Sequence, residues 1–449
     1  MSLGFVFNFD ILAREFQPYG VLLLAVFVAI YCILLSVLAA VKPRWFLFFF
    51  LSTKLTIDLT WHEPIIDTIN SLELIGGVFP VWAAIYAWRT RLPVHRHPLF
   101  KIMIVLLAMN ILAGTWGILN SVYRWFDLVA SPVPVLHVVN WNVRFLGMAA
   151  AVLVLPSIVK KQEPPGSLLL SILLSAGVPI LIGLWQLGGV KPDSLWNTSG
   201  HEYGVALFPR ITGGYQSSGT FAIVLFLAAV SSIYLAATET RRRWVFGLAL
   251  FFACVPLYFT FSRTIWLTLI VVTLLFLWMS TQKKWVMAAL SGIVLLISMV
   301  PATAKRFERE INLLKDPVSV FENAREFNKL GTGRMWLWRD AFDHFSRLDP
   351  VSKIVGSGGS YGSHNIWIQR LLRNGLLGLV VYSVFLAIVI GHLVRAFKSD
   401  RSEFNAFALS LALGVICVAG MFVQIWDHWT FSIFFWMMVG TQYRKSIVE

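Results

Sequence analysis

The side chains best suited to chemistry in this chain are arginines at the edges of apolar runs and one histidine after a glycine-rich turn. Arg263, in YFTFSRTIWL, is the one charged residue between two long apolar runs. An ionisable group at that depth is costly and must find an anion or a carboxylate, so it is a functional candidate by default. A guanidinium is the preferred fork for phosphate oxygens. Arg210, in FPRITGGYQSSGTF, stands just before another run, beside a Gly213-Gly214 pair that permits close backbone approach. Its plain alternative is an arginine snorkelling at the interface. Arg334 opens GRMWLWRDAFDHF after Gly333, which reads as an amphipathic helix carrying Trp336, Trp338 and Arg339. That helix could equally rest on a membrane with its tryptophans at headgroup depth. The stretch from Gly356 to Ser363 leads into His364-Asn365 and then a helical run. Its glycines allow tight approach to a ligand, and a neutral His364 imidazole could take a proton from a hydroxyl nucleophile.

Other polar residues carry less. Lys54 and Asp58 share a helix face at four-residue spacing and read as an intramembrane ion pair. Asp427-His428 lies at a late turn and is a weak candidate. No Asp-x-Asp or clustered His/Glu pattern marks a metal site, and no P-loop, GxGxxG or serine elbow appears. Neither metal nor cofactor is expected. Cys32, Cys254 and Cys417 all fall inside apolar runs, so no disulfide framework is readable.

The elements that must position these residues are membrane spans. The 449 residues are 57% hydrophobic and 13% charged, about half the charge of a soluble domain, where roughly 25% is usual. Apolar runs of helical-span length recur near 20–41, 45–61, 72–88, 100–122, 136–159, 167–187, 218–238, 244–261, 264–280, 285–302, 375–395, 404–424 and 429–441. A helix needs about 20 apolar residues to cross the hydrocarbon, and barrel strands would alternate instead. The expected fold is all-α and polytopic, with about 12–13 transmembrane helices and one long loop containing short helices. The expected division is residues 1–302 as N-terminal helices with a loop at 188–217, 303–364 as the loop bearing chemistry, and 365–449 as C-terminal helices.

The net charge of +14 would suggest nucleic acid in a soluble chain. Here the basic residues cluster in alternate short loops, as the positive-inside rule requires, and no nucleic-acid partner is expected. Those loops are cytoplasmic on this reading. The complicated loops, holding Trp196, His201, Arg210, Arg263 and the 303–364 segment, face the other side. In a bacterium that side is the periplasm. The N-terminal MSLGFVFNFDILAREFQ lacks a signal-peptide pattern and reads as an interfacial helix.

Three pieces together resemble the O-antigen ligase and O-antigen or exopolysaccharide polymerase superfamily of bacterial envelopes. They are RITGGYQSSGTFA before a span, FSRTIWL, and Gly-Arg-x-x-x-Trp followed by a glycine-rich turn, His-Asn and Gly-Leu-Leu-Gly. They cover roughly residues 205–385, and the many spans agree over the whole chain. The resemblance implies a metal-independent, inverting glycosyltransferase of the inner membrane, active at the periplasmic face. Its donor would be a glycan on undecaprenyl diphosphate, and its acceptor a growing glycan or lipid A-core. Carried onto this chain, Arg210 and Arg263 would hold the donor diphosphate and stabilise it as leaving group. His364 would act as, or position, the base, while Arg334 and Asn365 would be further donor contacts. The Ile-Trp after His364-Asn365 and the missing Asn-Pro-like pair after Gln216 depart from the pattern.

On these grounds the expected activity is repeat-unit polymerisation, with joining of finished glycan to lipid A-core as the alternative. A glycolipid flippase is the rival from another class. It would thread ionisable residues through the spans near the midplane, whereas here they gather at one face.

Overall fold

The computed structural model describes residues 26–60, 64–66, 69–125, 135–158, 166–187, 210–215, 217–298, 334–359, 364–422 and 428–443. The segment 1–25, Trp196, His201, Gln216, Asp427, most of loop 188–217 and half of loop 303–364 lie outside them. The protein is an all-α polytopic membrane protein. A short antiparallel pair, β1 (Pro64–Ile66) and β2 (Ile69–Asn70), is the exception among the described residues.

The helices are α1 (Val26–Val41), α2 (Pro43–Ile57), α3 (Ser71–Arg89), α4 (Phe100–Trp125), α5 (Val135–Leu153) and the short α6 (Leu155–Ile158). They continue as α7 (Gly166–Leu187), α8 (Ser218–Thr238), α9 (Arg243–Phe259), α10 (Arg263–Met279) and α11 (Lys283–Ser298). The last are α12 (Arg334–Arg347), α13 (Pro350–Val355), α14 (Ile366–Ser399), α15 (Glu403–Phe422) and α16 (Trp429–Thr441). Among the described residues, 6 helices are long and apolar enough to cross a membrane, and 4 shorter apolar helices accompany them. The about 12–13 expected spans map onto helices at nearly every expected position. Several are simply shorter than a full crossing.

Packing divides the chain into two compact units, residues 1–82 with 160–265, and 83–159 with 266–449. Each interleaves distant sequence, whereas the division at 302 and 364 concerns topology.

In the first unit α8 is the core helix, with 94% of its span window buried. Its neighbour α7 contains Pro179, which has no N–H to give the Ser175 carbonyl four residues earlier. The Thr56 hydroxyl donates to that carbonyl instead, at 3.1 Å, while the Leu55 N–H donates to the Ser175 hydroxyl at 2.8 Å. The end of α2 is thereby fastened to the middle of α7.

In the second unit α14 is broken. Gly375 has φ 66 and ψ −173, so residues 366–374 and 376–399 are two helical pieces. The break frees carbonyls, and the glycine turn takes them up. Ser357 N–H donates to the Leu372 carbonyl at 3.0 Å and Gly358 N–H to that of Arg373 at 3.2 Å. The amphipathic α12 lays its apolar face on α14, through Ala341, Trp338 and Phe345 against Ile368 and Leu372. Trp338 also stacks on Phe422 at 5.8 Å, while Trp336 and Arg339 point outward.

Candidate active site

The first unit holds Arg210 and Arg263. Arg263 is the first residue of α10, immediately after a turn in which Phe261 takes φ 53. That left-handed residue lets α9 end and α10 begin within a few residues. Arg210 enters on the turn before α8. The Gln186 side chain, at the end of α7, shapes this turn: its oxygen accepts from the Thr212 and Gly213 N–H groups at 3.0 and 2.9 Å. Gly213 has φ 58, and a Cβ there would meet the Phe221 ring at 2.3 Å, so only glycine fits. From the far end of the turn, Tyr215 donates its hydroxyl to the Leu55 carbonyl at 2.5 Å. Burial, and secondly Asp58, push the Tyr215 phenol well up from its ordinary value, which keeps it a donor. Ser217 then caps α8 by accepting from the Thr220 N–H at 3.1 Å.

These anchors hold a half-buried Arg210 beside Arg263. Burial first, and the Arg263 charge second, lower the Arg210 pKa. The Arg210 Nε is buried and has no hydrogen-bond partner among the described residues. Two neighbouring guanidiniums repel, and a buried N–H left unmade costs about 1–3 kcal/mol. An anion between them removes both penalties, and phosphate has the oxygens to do so. In the same unit, Lys54 and Asp58 are buried and form the expected ion pair.

The second unit holds Arg334, His364 and Asn365. Arg334 is the first residue of α12. His364 adopts φ 50, a conformation that non-glycine residues adopt rarely and that clusters at functional sites. Its ring reaches solvent, yet the enclosing protein, and secondly the charge of Arg334, hold its pKa below the ordinary histidine value. At neutral pH the ring is therefore uncharged and has a lone pair for a proton. Asn365 is buried and its side-chain oxygen is committed: it caps α14 by accepting from the Trp367 and Ile368 N–H groups at 2.9 and 3.1 Å. Among the described residues no group of three His, Cys, Asp or Glu side chains gathers.

The structure thus brings Arg210 to Arg263 and Arg334 to His364. One reading changes. A Cβ on Gly356 would stand 2.1 Å from the Arg373 carbonyl, and one on Gly358 would stand 2.5 Å from that of Ala113. Both glycines admit protein backbone rather than a ligand. The docking is completed by Trp116, whose indole donates to the Ser352 hydroxyl at 2.9 Å, and by Asp349, which caps α13. Gln186 and Tyr215 were missed. The signal for Gln186 was visible: a single amide near the end of an otherwise apolar run.

Residues 248–383, less than a third of the chain, match a family model described as O-antigen ligase. The matched segment contains Arg263, Arg334, His364 and Asn365, and Arg210 precedes it. No curated protein matches the chain.

Proposed function

From the match of residues 248–383 to the O-antigen ligase model, we propose that the chain is a membrane glycosyltransferase of that superfamily and transfers a glycan from undecaprenyl diphosphate to an acceptor hydroxyl. The reaction takes place at the periplasmic face of the bacterial inner membrane, where loop 303–364 lies. The observation that carries this reading is the Arg210–Arg263 pair, like charges side by side with a buried Nε that lacks a partner among the described residues.

The step is an inverting displacement. The acceptor oxygen attacks the anomeric carbon, and the bond from that carbon to the phosphate oxygen breaks. Its electron pair leaves on the diphosphate, whose growing charge Arg210 and Arg263 stabilise. The acceptor proton passes to the neutral His364 imidazole. Arg334 has a double role: it contributes a further cation for donor oxygens and keeps His364 unprotonated. Asn365 serves by fixing the start of α14, so that His364 is held on a rigid element. No step in this scheme calls on a metal or cofactor.

The acceptor we assign is the next lipid-linked repeat unit, making the protein an O-antigen or exopolysaccharide polymerase. Joining glycan to lipid A-core is the second reading, favoured by the description of the matching family model. The deciding test is transfer by purified protein in nanodiscs, supplied with undecaprenyl-diphosphate repeat unit, with and without lipid A-core. A ladder of lengthening lipid-linked glycan without lipid A-core supports polymerisation. A single shift that requires lipid A-core supports the ligase. Donor binding without product in either mixture removes the transferase reading in favour of a flippase.

A further inference from the structure

The short helix α13 (Pro350–Val355) has one face turned in and one turned out. Inward, the buried Ser352 hydroxyl accepts from the Trp116 indole of α4 at 2.9 Å and donates to the Asp349 carboxylate at 2.6 Å. Outward, Val351 and Ile354 are 45% and 53% exposed, and three-residue spacing puts them side by side on the helix surface. The end of α13 touches the break in α14, where a Cβ on Gly375 would collide with the Ile354 carbonyl oxygen. Leu376 and Leu377, which follow the break, are exposed. Leu376, Val380 and Val384 fall on one stripe, the exposed apolar side of a helix long and apolar enough to cross a membrane.

Two spans measure how deep α13 lies. Exposed basic residues mark the same end of both: Lys101 at the start of α4 and Arg395 near the end of α14. At 1.5 Å per residue, Leu376 is about 28 Å along α14 from Arg395, while Trp116 and Asn120 are about 22 and 28 Å along α4 from Lys101. Trp116 and Asn120 both donate to the Ser352 hydroxyl, the latter at 3.4 Å. A hydrocarbon layer is about 30 Å thick. Both rulers therefore set α13 at the far edge of the hydrocarbon, with Val351 and Ile354 at its level. The neighbouring backbone obeys the rule for that depth. Irregular chain there must be enclosed by protein, and Gly356 and Gly358 are buried, with the Ser357 and Gly358 N–H groups donating to carbonyls of α14. Lys353, the one charge in α13, has the stem to carry its ammonium out to the phosphate layer.

We propose that α13 is a monotopic membrane seat, whose Val351 and Ile354 insert among phospholipid acyl chains in the leaflet opposite the basic loops. The partner is the bilayer itself. The exposed face adjoins the apolar stripe of α14, and two separate helices place it at the depth where acyl chains begin. The glycine turn between α13 and His364 is thereby held at a set height on the bilayer, the level at which a lipid-borne phosphate meets the protein. This inference needs only the membrane fold, so it stands or falls apart from the transferase reading.

The test uses full-length protein in phosphatidylcholine nanodiscs. Cys32→Ala, Cys254→Ala and Cys417→Ala provide the background, in which Val351→Cys or Ile354→Cys carries a nitroxide. Val380→Cys is the lipid reference and Arg401→Cys the aqueous one. The readout is relaxation of the nitroxide by oxygen against relaxation by a water-soluble nickel chelate. At positions 351 and 354 the oxygen-to-nickel ratio should be at least about threefold above the Arg401 value and approach that of Val380, because a polar chelate is excluded from hydrocarbon. A ratio equal to that at Arg401 overturns the proposal, since the face would stand in water. Weak relaxation by both agents also overturns it, since protein would then cover the face. Should the cysteine-free chain fail to fold, Ile354→p-benzoylphenylalanine in the otherwise native chain must give phospholipid adducts on irradiation, read by mass spectrometry. Cross-links only to a second copy of the chain, or no lipid adduct, sink the seat.

Discussion

Ser357 gives both its backbone N–H and its hydroxyl to the carbonyl of Leu372, each at 3.0 Å. The break at Gly375 makes that carbonyl available, so turn and kink are one device. A Cβ on Gly375 would stand 2.2 Å from the Ile354 carbonyl oxygen, at a φ of 66 that also disfavours side chains. Gly375→Ala should therefore lower the thermal midpoint in detergent strongly, by several kcal/mol if tolerated at all. Gly391, on the second piece of the same helix, has nothing within 4 Å. Gly391→Ala should be neutral or stabilising, by up to about 1 kcal/mol. Equal midpoints for the two variants would show that the break is dispensable.

The arginine pair calls for shape as well as charge. Arg263→Lys keeps the cation and loses the fork, and should cost roughly ten- to a hundredfold in transfer. Arg210→Lys should do the same, because its Nε is the buried donor. Turnover at the wild-type rate would remove the substituted residue from the site.

His364→Ala should abolish transfer while donor binding survives; loss of both points to a structural role. In the wild type, rate should fall on the acid side with an inflection below the ordinary histidine value of about 6.5, since the base must be unprotonated and its pKa is lowered by enclosure and Arg334. Removing the neighbouring charge in Arg334→Gln should move that acid limb to higher pH. An unmoved limb would mean that another group titrates.

His97, between α3 and α4, gives a stability signal independent of turnover. Burial, and secondly His392, push its pKa down to about 4. Its Nδ1 accepts the Leu99 N–H at 3.1 Å, a bond that protonation there would break. The unfolded chain binds this proton more readily than the folded one, so stability is complete above about pH 6.5 and is lost as pH falls toward 4. The loss attributable to this ring is of the order of 3 kcal/mol at full protonation. Thermal midpoints of wild type and His97→Gln should differ in slope across that window. Parallel curves would refute the assignment.

Lys54 and Asp58 are both buried, at 1% and 3% exposure. Asp58→Asn leaves a buried cation and should destabilise by about 3–5 kcal/mol, whereas Lys54→Met with Asp58→Leu should recover most of it. A double variant as weak as the single one would show that the pair does more than compensate itself. Tyr215, whose phenol feels Asp58, would be the place to look.

The amino-acid sequence by itself determined where the helices lie and that Arg263 is exceptional. Both follow from local physics: an apolar run either is or is not long enough to cross hydrocarbon, and a charge set between two such runs is costly wherever they pack. The Lys54–Asp58 pair was legible for the same reason, since four residues is one helical turn. Tertiary structure alone decided the rest. Tyr215 reaches a carbonyl 160 residues away and Asn374 an amide 264 residues away, and no local pattern records such pairings. Gly356 and Gly358 looked like room for a ligand because glycine means close approach, but only packing shows what approaches, and it is the backbone of α4 and α14. Asn365, a donor contact by resemblance, caps the helical run that follows it, a role that only the folded backbone displays.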